Sequence, residues 1–592
     1  MRRPETFPSM QSESTTTPAN SLLSHLTYEP EVLRFGTSGR RGLVIHLTQL
    51  EVYINALAEL QYLQTLMPSE GGIVRGDELY FAYDLRPSST EYISGERGRG
   101  ELAQAVVRAI YDAGMRPVNV GAIPTPALAN LAISRGKGSM MITGSHIPFD
   151  RNGYKTNTSR GELLKEHEQP IGRAVEQVRH ALYNQPLTSS AFDTQGRFKS
   201  GHSDLPAPVG DARSAYIRRY TGFFAGQTLS GMRLLFYQHS AVGRDLVPEI
   251  LRSFGAEVIS TGHSDSFVPI DTENIDAAQL AAIQILVDEA AAKYGCIDAV
   301  VSTDGDSDRP LLLGVDGSTN KVRFFGGDLL GMLVAEYLGA DAVVVPISCN
   351  DAIDRSTLRP VLEPKTRIGS PYVIAGMERA QSKGKKVICG WEANGGFLVG
   401  SAIERNGKVL AALPTRDAVL PLLAVLFSAH EQGLSLAALF DRLPPRFSRA
   451  ALLKQLPRRI GLAIVERFSP AHSVVRDAQF ESDRIALFDA DGTELRDKGD
   501  LANQAGEIRS QLSRFFMTPK FEAIVRLNYT DGVRITFENG DVAHLRPSGN
   551  ADELRIYAVS DTQARAEEIA AMGIAEPDGI LRSMERFVMQ SS

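Results

Sequence analysis

The chain contains the stretch Thr143-Gly-Ser-His-Ile-Pro-Phe-Asp-Arg-Asn-Gly-Tyr-Lys155, which directly follows the apolar run Ser139–Ile142. That run has the length of a buried strand, so the stretch is predicted to be the loop at its carboxyl end. In open α/β sheets, ligands bind at this edge. Ser145, His146 and Lys155 would bring a hydroxyl, an imidazole and an ammonium there. The alternative is a surface loop that Gly and Pro interrupt.

A second stretch, Asp304-Gly-Asp-Ser-Asp-Arg309, places three carboxylates at alternate positions. Hard divalent cations take oxygen ligands, and Mg2+ in particular joins carboxylates to phosphate oxygens. A calcium-binding EF-hand would need a glutamate at its twelfth position, where this chain has Val315. A solvated acidic turn is less favoured, since such close carboxylates repel one another. A serine loop and a metal loop in one chain indicate phosphoryl chemistry.

Three further loops have side chains that suit phosphate or sugar. Residues 35–42 combine glycines with two arginines, a composition that can hold an anion. Glu392 and Asn394 lie between glycines and offer partners for sugar hydroxyls. Arg546-Pro-Ser-Gly-Asn550, followed by Arg555, has the donors of a phosphate clamp. For each loop alone, an ordinary Gly-rich turn or hairpin is the alternative.

Composition excludes several classes of protein. The net charge is −7 and no Lys/Arg block stands out, so neither nucleic acid nor membrane binding is indicated. The three cysteines, Cys296, Cys349 and Cys389, are far apart and do not predict a disulfide framework. No apolar run is long enough for a signal-peptide core or a membrane span, which favours the cytoplasm.

The chain has 592 residues, which predicts roughly four domains. Strand and helix patterns alternate through most of it, so we expect an α/β fold. Three successive units end a strand in a polar loop, at Ser145, Asp304 and Glu392. The predicted division is a disordered tail (1–28), a serine-loop domain (29–207), a metal-loop domain (208–318), a sugar-loop domain (319–445) and a C-terminal α+β domain (446–592).

Taken together and in this order, the motifs resemble the α-D-phosphohexomutase superfamily of phosphoglucomutases and phosphomannomutases, over about residues 33 to 560. The resemblance implies four domains around a central cleft, namely three related α/β/α units and a smaller C-terminal domain. It also implies the site residues. Ser145 would carry the phosphoryl group, and Asp304, Asp306 and Asp308 would bind Mg2+ together with it.

The remaining roles follow from the same resemblance. Arg41 would belong to the first catalytic segment, and Lys155 would be the general acid/base. His146 is either a base for Ser145 or a group that holds the loop. The substrate would be bound by Arg309, Glu392, Asn394, Arg546, Ser548, Gly549, Asn550 and Arg555.

This chain departs from the family pattern at four positions. Ile147 stands where an asparagine is usual, Asn394 replaces a serine, and Asn550 replaces a threonine. Both asparagines still form hydrogen bonds. Gly396 stands where some members carry a histidine acid/base, so that role cannot be transferred here.

The implied activity is a phosphohexomutase that interconverts hexose 1-phosphate and hexose 6-phosphate through a phosphoserine and a hexose 1,6-bisphosphate. The sequence of the serine loop, Thr143-Gly-Ser-His-Ile-Pro148, favours mannose over glucose as the hexose of the substrate. Alternatives are a glucose-only mutase, a hexose-bisphosphate synthase, a Mg2+-dependent phosphatase and a non-catalytic sugar-phosphate-binding protein. The last would predict damage at Ser145 or the acidic triplet, yet both are intact. A serine hydrolase is disfavoured because no acidic triad partner is evident.

Overall fold

The computed structural model describes residues 20–36, 38–94, 99–273, 275–471, 474–482, 484–496, 499–517, 519–547 and 552–591. Within them the chain forms four units, each built on its own sheet. Among these described residues, none of the helices has the length and hydrophobicity that a membrane crossing requires.

The first unit has a five-stranded sheet in the order β1-β7-β6-β2-β5. Its strands are β1 (Arg40–Leu43), β2 (Glu78–Tyr83), β3 (Tyr92–Ile93), β4 (Arg99–Gly100), β5 (Arg116–Ala122), β6 (Ser139–Ile142) and β7 (Arg151–Asn157). Its helices are α1 (Leu22–His25), α2 (Gln49–Leu63), α3 (Pro87–Thr90), α4 (Leu102–Asp112), α5 (Thr125–Ser134) and α6 (Glu168–Tyr183), and α7 (Asp211–Phe223) leads to the next unit.

The second and third units have sheets of five and four strands. The second contains β8 (Arg233–His239), β9 (Glu257–His263), β10 (Ala299–Thr303), β11 (Pro310–Val315), β12 (Val322–Phe324), α8 (Leu246–Ser253) and α9 (Ala277–Tyr294). The third contains β13 (Ala342–Val344), β14 (Ile388–Trp391), β15 (Phe397–Val399), β16 (Ile403–Arg405), β17 (Lys408–Leu410), β18 (Leu413–Asp417), α10 (Gly327–Leu338), α11 (Ser370–Ser382), α12 (Val419–Gln432) and α13 (Leu436–Phe440).

One arrangement repeats in these three sheets. A buried strand pairs in parallel with one neighbour and antiparallel with the strand that follows it: β6 lies between β2 and β7, β10 between β8 and β11, and β14 between β13 and β15. The loop after the buried strand is in each case one of the three predicted polar loops. The three α/β units are therefore related, as expected.

The C-terminal unit has a fully antiparallel seven-stranded sheet in the order β19-β25-β24-β23-β22-β20-β21. Its elements are β19 (Phe447–Lys454), β20 (Asp477–Phe480), β21 (Ile485–Phe488), β22 (Ile524–Asn528), β23 (Val533–Phe537), β24 (Val542–Pro547), β25 (Glu553–Ser560), α14 (Arg458–Arg467), α15 (Gly499–Leu512), α16 (Gln563–Ile574) and α17 (Ile580–Ser591). One apolar cluster crosses the first three units, and each of them also has a cluster of its own. The C-terminal unit has a separate core.

Three expectations need correction. The tail predicted over 1–28 extends too far, because Leu22 is buried and lies in α1. The segment between Leu187 and Pro208 has the Pro, Gly and Ser content that predicts a linker. It is nevertheless packed, since Phe192 and Phe198 contact the Tyr53 ring at centroid distances of 5.3 and 6.1 Å. Lys155 lies in strand β7 and not in the loop. The domain boundaries at 207, 318 and 445 stay predictions.

Candidate active site

Ser145 lies in a backbone conformation that few non-glycine residues adopt, with φ of +55°. A short relay of hydrogen bonds holds it there. The Thr143 hydroxyl accepts from the Ser145 amide at 2.7 Å and donates to Asp84 Oδ2 at 2.8 Å. Asp84 directly follows β2, so the neighbouring strand end fixes the serine loop. The hydroxyl is thus presented at the carboxyl edge of the sheet, as the sequence predicted.

Arg86 supports the same loop from beneath. Its guanidinium is buried and donates to four backbone carbonyls, those of Ser145, Ile147, Pro148 and Arg151. A Cβ on Gly144 would lie 2.6 Å from Arg86 Nε, so the glycine makes room for the guanidinium. We did not predict this role, because Arg86 lies in a turn 59 positions from Ser145 and the sequence shows only the turn.

The acidic loop lies directly against the serine. Asp304, Asp306 and Asp308 are fully buried, and their carboxylate oxygens lie within 4.8 Å of one another. The Ser145 hydroxyl donates to Asp304 Oδ2 at 2.6 Å. The Lys155 ammonium donates to Asp306 Oδ2 and Asp308 Oδ2 at 2.7 and 2.6 Å. The structure therefore brings the nucleophile candidate, the acidic triplet and Lys155 together.

The electrostatics of the triplet fit a divalent cation. Burial, with the neighbouring Asp306 and Asp308, raises the pKa of Asp304 well above its usual value. Burial would also raise the pKa of Asp306, but the Lys155 ammonium lowers it well below that value. Asp306 Oδ1 and Asp308 Oδ1 are buried, and no described residue forms a hydrogen bond with them. Buried carboxylate oxygens without donors are the ligands that a hard cation takes.

Positive charge surrounds the serine on the cleft side. Arg309 Nε lies 3.6 Å from Asp308 Oδ1 and 3.8 Å from Asp304 Oδ2. Nε and Nη2 of Arg41 are buried and form no hydrogen bond to the described residues. Burial, with the nearby Arg309, lowers the pKa of Arg41 to about 10. The His146 ring lies 3.4 Å from the Ser145 hydroxyl. Burial and the two arginines hold the pKa of His146 well below its usual value, so the ring is neutral.

The predicted sugar loop faces this cluster from the third unit. Asn394 shapes the loop, because its Oδ1 accepts from the Gly396 amide at 3.0 Å and its carbonyl accepts from Thr272 at 2.7 Å. Glu392 Oε2 accepts from Arg416 Nη1 at 3.0 Å. Arg416, which was not predicted, also reaches the acidic loop, with Nε 3.1 Å from Asp308 Oδ2.

The two arginines of the predicted phosphate clamp lie on the C-terminal unit and line a cleft that Arg309 and Glu392 also line. Arg546 and Arg555 are cross-strand neighbours on β24 and β25. Arg546 Nε lies 3.2 Å from Asp531 Oδ2, and Arg555 Nε is buried without a hydrogen-bond partner in the part of the chain that the structure describes. The predicted contacts Ser548, Gly549 and Asn550 lie outside the described residues.

One cavity of about 810 Å³ is lined by side chains from all four units, among them Arg41, His146, Arg309, Glu392, Asn394, Arg416, Arg546 and Arg555. Ser145, Lys155 and the acidic triplet are buried and do not belong to this lining. Basic side chains predominate over acidic ones in the lining, so the cavity suits an anionic ligand. The basic residues are Arg41, Arg151, Lys165, Arg309, Arg367, Arg416, Arg476, Arg546 and Arg555, and the acidic residues are Glu273, Glu392, Asp531 and Glu553.

The sequence matches three models of one protein family. Residues 32–181 match phosphoglucomutase/phosphomannomutase α/β/α domain I, residues 326–447 match α/β/α domain III, and residues 501–575 match the C-terminal domain. These segments contain the serine loop, the sugar loop and Arg546.

Related proteins match over nearly the whole chain. A phosphomannomutase of Sinorhizobium fredii is 36% identical over 547 residues, which are 92% of this chain and 98% of the relative. A phosphomannomutase of Salmonella muenchen is 35% identical over 539 residues, which are 90% and 93% of the two chains. A crystal structure of a phosphoglucomutase/phosphomannomutase family protein from Burkholderia thailandensis superposes with a TM-score of 0.58 at 16% identity, covering 94% of this chain and 98% of that one. This last likeness shows a shared fold.

Proposed function

The chain belongs to the α-D-phosphohexomutase superfamily and is an enzyme of the phosphotransferring isomerase type, and on that premise we propose that it interconverts hexose 1-phosphate and hexose 6-phosphate. We propose mannose as the preferred hexose, with glucose as a second substrate, because both full-length relatives described above are phosphomannomutases. The observation that carries the proposal is the Ser145 hydroxyl, 2.6 Å from a buried acidic triplet and beside a basic cleft.

In the proposed reaction, phosphorylated Ser145 transfers its phosphoryl group to the free hydroxyl of a bound hexose phosphate. The bond from phosphorus to Ser145 Oγ breaks, a bond to the sugar oxygen forms, and the sugar hydroxyl releases a proton. The resulting hexose 1,6-bisphosphate then turns over in the cleft and returns its other phosphoryl group to Ser145. Arg41 and Arg309 offset the negative charge of the group in transfer.

Two side chains are candidates for the proton transfer. Lys155 is the first, because its nitrogen is buried beside the acidic triplet. His146 is the second, because its neutral ring lies 3.4 Å from the serine oxygen and can accept a proton. Lys155→Met and His146→Asn would separate them, since only the variant that removes the true base eliminates the corresponding limb of the pH–rate profile.

The proposed ligand contacts come from the acidic loop, the sugar loop and the C-terminal unit. Asp304, Asp306 and Asp308 would hold Mg2+ with the phosphoserine, and the bound ion would supply positive charge beside the transferred group. Glu392 and Asn394 would bind sugar hydroxyls. Arg546 and Arg555, with the proposed Ser548, Gly549 and Asn550, would hold the phosphate that is not reacting.

Phosphorus NMR on the purified chain tests the proposal. Mannose 1-phosphate or glucose 1-phosphate is supplied with Mg2+, with and without a trace of the matching 1,6-bisphosphate. We expect the 6-phosphate to form, faster from mannose, and Ser145→Ala to abolish its formation. Ser134→Ala, at the exposed carboxyl end of α5, is the matched control and should remain active. Release of inorganic phosphate instead would identify a phosphatase.

A further inference from the structure

One side chain contacts the loops of three units. Arg416, on β18, is 2% exposed. Its Nε donates to Asp308 Oδ2 of the acidic loop at 3.1 Å, and its Nη1 donates to Glu392 Oε2 of the sugar loop at 3.0 Å. Its Nη2 donates to the Ser38 hydroxyl of the first polar loop at 3.2 Å. A planar guanidinium that serves three directions fixes its partners relative to one another.

The contact with Asp308 leaves one carboxylate oxygen without a hydrogen bond. Asp308 Oδ2 accepts from Lys155 and from Arg416, at 2.6 and 3.1 Å. Asp308 Oδ1 has no hydrogen-bond partner among the described residues, and Arg309 Nε lies 3.6 Å from it. Arg416 thus holds one oxygen of this carboxylate while the other stays available to a cation. Groups that orient a metal ligand in this way tune metal affinity.

The stem of Arg416 and the strand that carries it are both held in place by neighbouring residues. The stem of Arg416 packs on Gly396, where an added Cβ would lie 2.5 Å from Arg416 Cδ. The next residue, Asp417, is buried and accepts from the hydroxyls of Tyr216 and Tyr220 on α7. The strand therefore cannot shift easily, so a change at one end of the guanidinium is transmitted to the other.

We propose that Arg416 is a positioning residue that couples the cation site to the hexose site. A cation at the acidic loop would fix Asp308 and with it the guanidinium plane, and that plane fixes Glu392 for the sugar. Each ligand would then bind a site that the other has already ordered, and linkage makes the effect equal in both directions. This inference rests on the proposed function.

Calorimetry on the dephosphorylated full chain tests the coupling, because that form has no phosphoryl group to transfer. The Kd of mannose 6-phosphate is measured in EDTA and in saturating Mg2+, and the Kd of Mg2+ with and without the sugar phosphate. We expect each ligand to lower the Kd of the other at least about fivefold, which is the lower end of typical coupling between two sites.

Two variants should abolish the coupling, which is measured by the ratio of the two Kd values of one ligand and not by either Kd alone. Arg416→Lys keeps the charge, but the lysine cannot contact both carboxylates. The Kd of each ligand should therefore be nearly the same with and without the other ligand. Gly396→Ala retains the arginine and displaces its stem, with the same expected result. Arg405→Lys is the matched control: its guanidinium stacks on Tyr337 at 3.9 Å, away from the cleft, and the coupling should persist.

The possible results separate the inference from the proposed function. Absence of coupling in the native chain, or coupling that survives both Arg416→Lys and Gly396→Ala, overturns the role of Arg416 and leaves the mutase proposal standing. No binding of mannose 6-phosphate or glucose 6-phosphate in saturating Mg2+ overturns both. Equal unfolding temperatures for Arg416→Lys and Arg405→Lys, with coupling lost only in the former, would exclude a merely structural effect.

Discussion

At the scale of single residues, Arg86 determines the shape of the serine loop. Arg86→Lys keeps one positive charge but removes the planar donors that serve four carbonyls. We expect it to lower the free energy of unfolding by about 2–4 kcal/mol, since buried carbonyls lose their donors. Turnover should fall about tenfold as Ser145 loses its fixed position. Chemical denaturation and mutase kinetics measure both effects.

The control for this change is Arg108→Lys on α4, where an exposed ion pair with Asp112 is altered. Exposed ion pairs contribute little to stability. The free energy of unfolding of the control should therefore stay within about 0.5 kcal/mol of that of the native chain. Equal unfolding free energies for Arg86→Lys and the control would show that the loop does not depend on the guanidinium.

Glu273, which lines the cleft, predicts a pH dependence of stability. Burial, with the nearby Asp271, raises the pKa of Glu273 from 4.5 to about 7. The folded state therefore binds the proton more tightly, and the stability that this carboxyl contributes is lost as the pH rises towards about 7. Glu273→Gln stays neutral, so its unfolding free energy relative to the native chain should be higher at about pH 8 than at about pH 5. A difference that is constant or of opposite sign, measured by urea denaturation, would contradict this.

The candidate site could be predicted from the sequence only in part. Ser145 and the acidic triplet belong to short runs in which residue type and spacing indicate the chemistry. Arg86, Glu273 and Arg416 are single residues within ordinary turns and strands. Their roles depend on contacts across 59 positions for Arg86 and Ser145, and 108 positions for Arg416 and Asp308, which no local pattern encodes.

At the scale of elements, the buried strands before the polar loops were predictable because they are continuous apolar runs. The strand after the serine loop was not. Residues of β7 are polar, yet six of its seven residues are buried. They form a strand because Gly153 and Tyr154 pair with Arg41 and Arg40 of β1. Lys155 is thereby placed on a rigid strand that presents its ammonium to Asp306 and Asp308.

Helix α7 and strand β18 provide the prediction at this scale. The buried Asp417 accepts from Tyr216 at 2.5 Å, from Tyr220, and from the Val419 amide at 2.9 Å. Tyr216→Phe and Tyr220→Phe should each lower the free energy of unfolding by about 1–3 kcal/mol, because a buried carboxylate loses a donor. Tyr111→Phe, whose ring is exposed, should have almost no effect. If the single variants match this control in urea denaturation, Asp417 does not anchor the strand.

At the scale of the whole molecule, four domains could be expected from the length and from the alternation of elements. The apolar cluster that joins the first three units could not be expected, because it depends on how their helices pack across unit boundaries. The C-terminal unit has a separate core and contacts the third unit through charged groups. We therefore expect the position of the C-terminal unit to determine the width of the cleft, since this unit carries Arg546 and Arg555.

Arg446 is the group on which that position depends. It directly follows Pro444-Pro445, where the chain passes from the third unit to the fourth. Its buried guanidinium donates to Asp351 at 2.7 and 2.9 Å, to Asp561 at 2.7 Å and to the Gly540 carbonyl at 2.8 Å. These contacts join the third unit to two segments of the fourth.

Arg446→Met should loosen this junction without touching the serine loop or the acidic loop. We expect KM for the hexose phosphate to rise about tenfold, with a much smaller change in kcat, because the variant affects ligand binding more than the transfer step. Small-angle scattering should show a larger radius of gyration in the absence of ligand. Arg442→Met, which alters only an exposed contact with Gln432, serves as the control. A lower unfolding temperature with unchanged KM would mean that Arg446 stabilises the fold but does not set the width of the cleft.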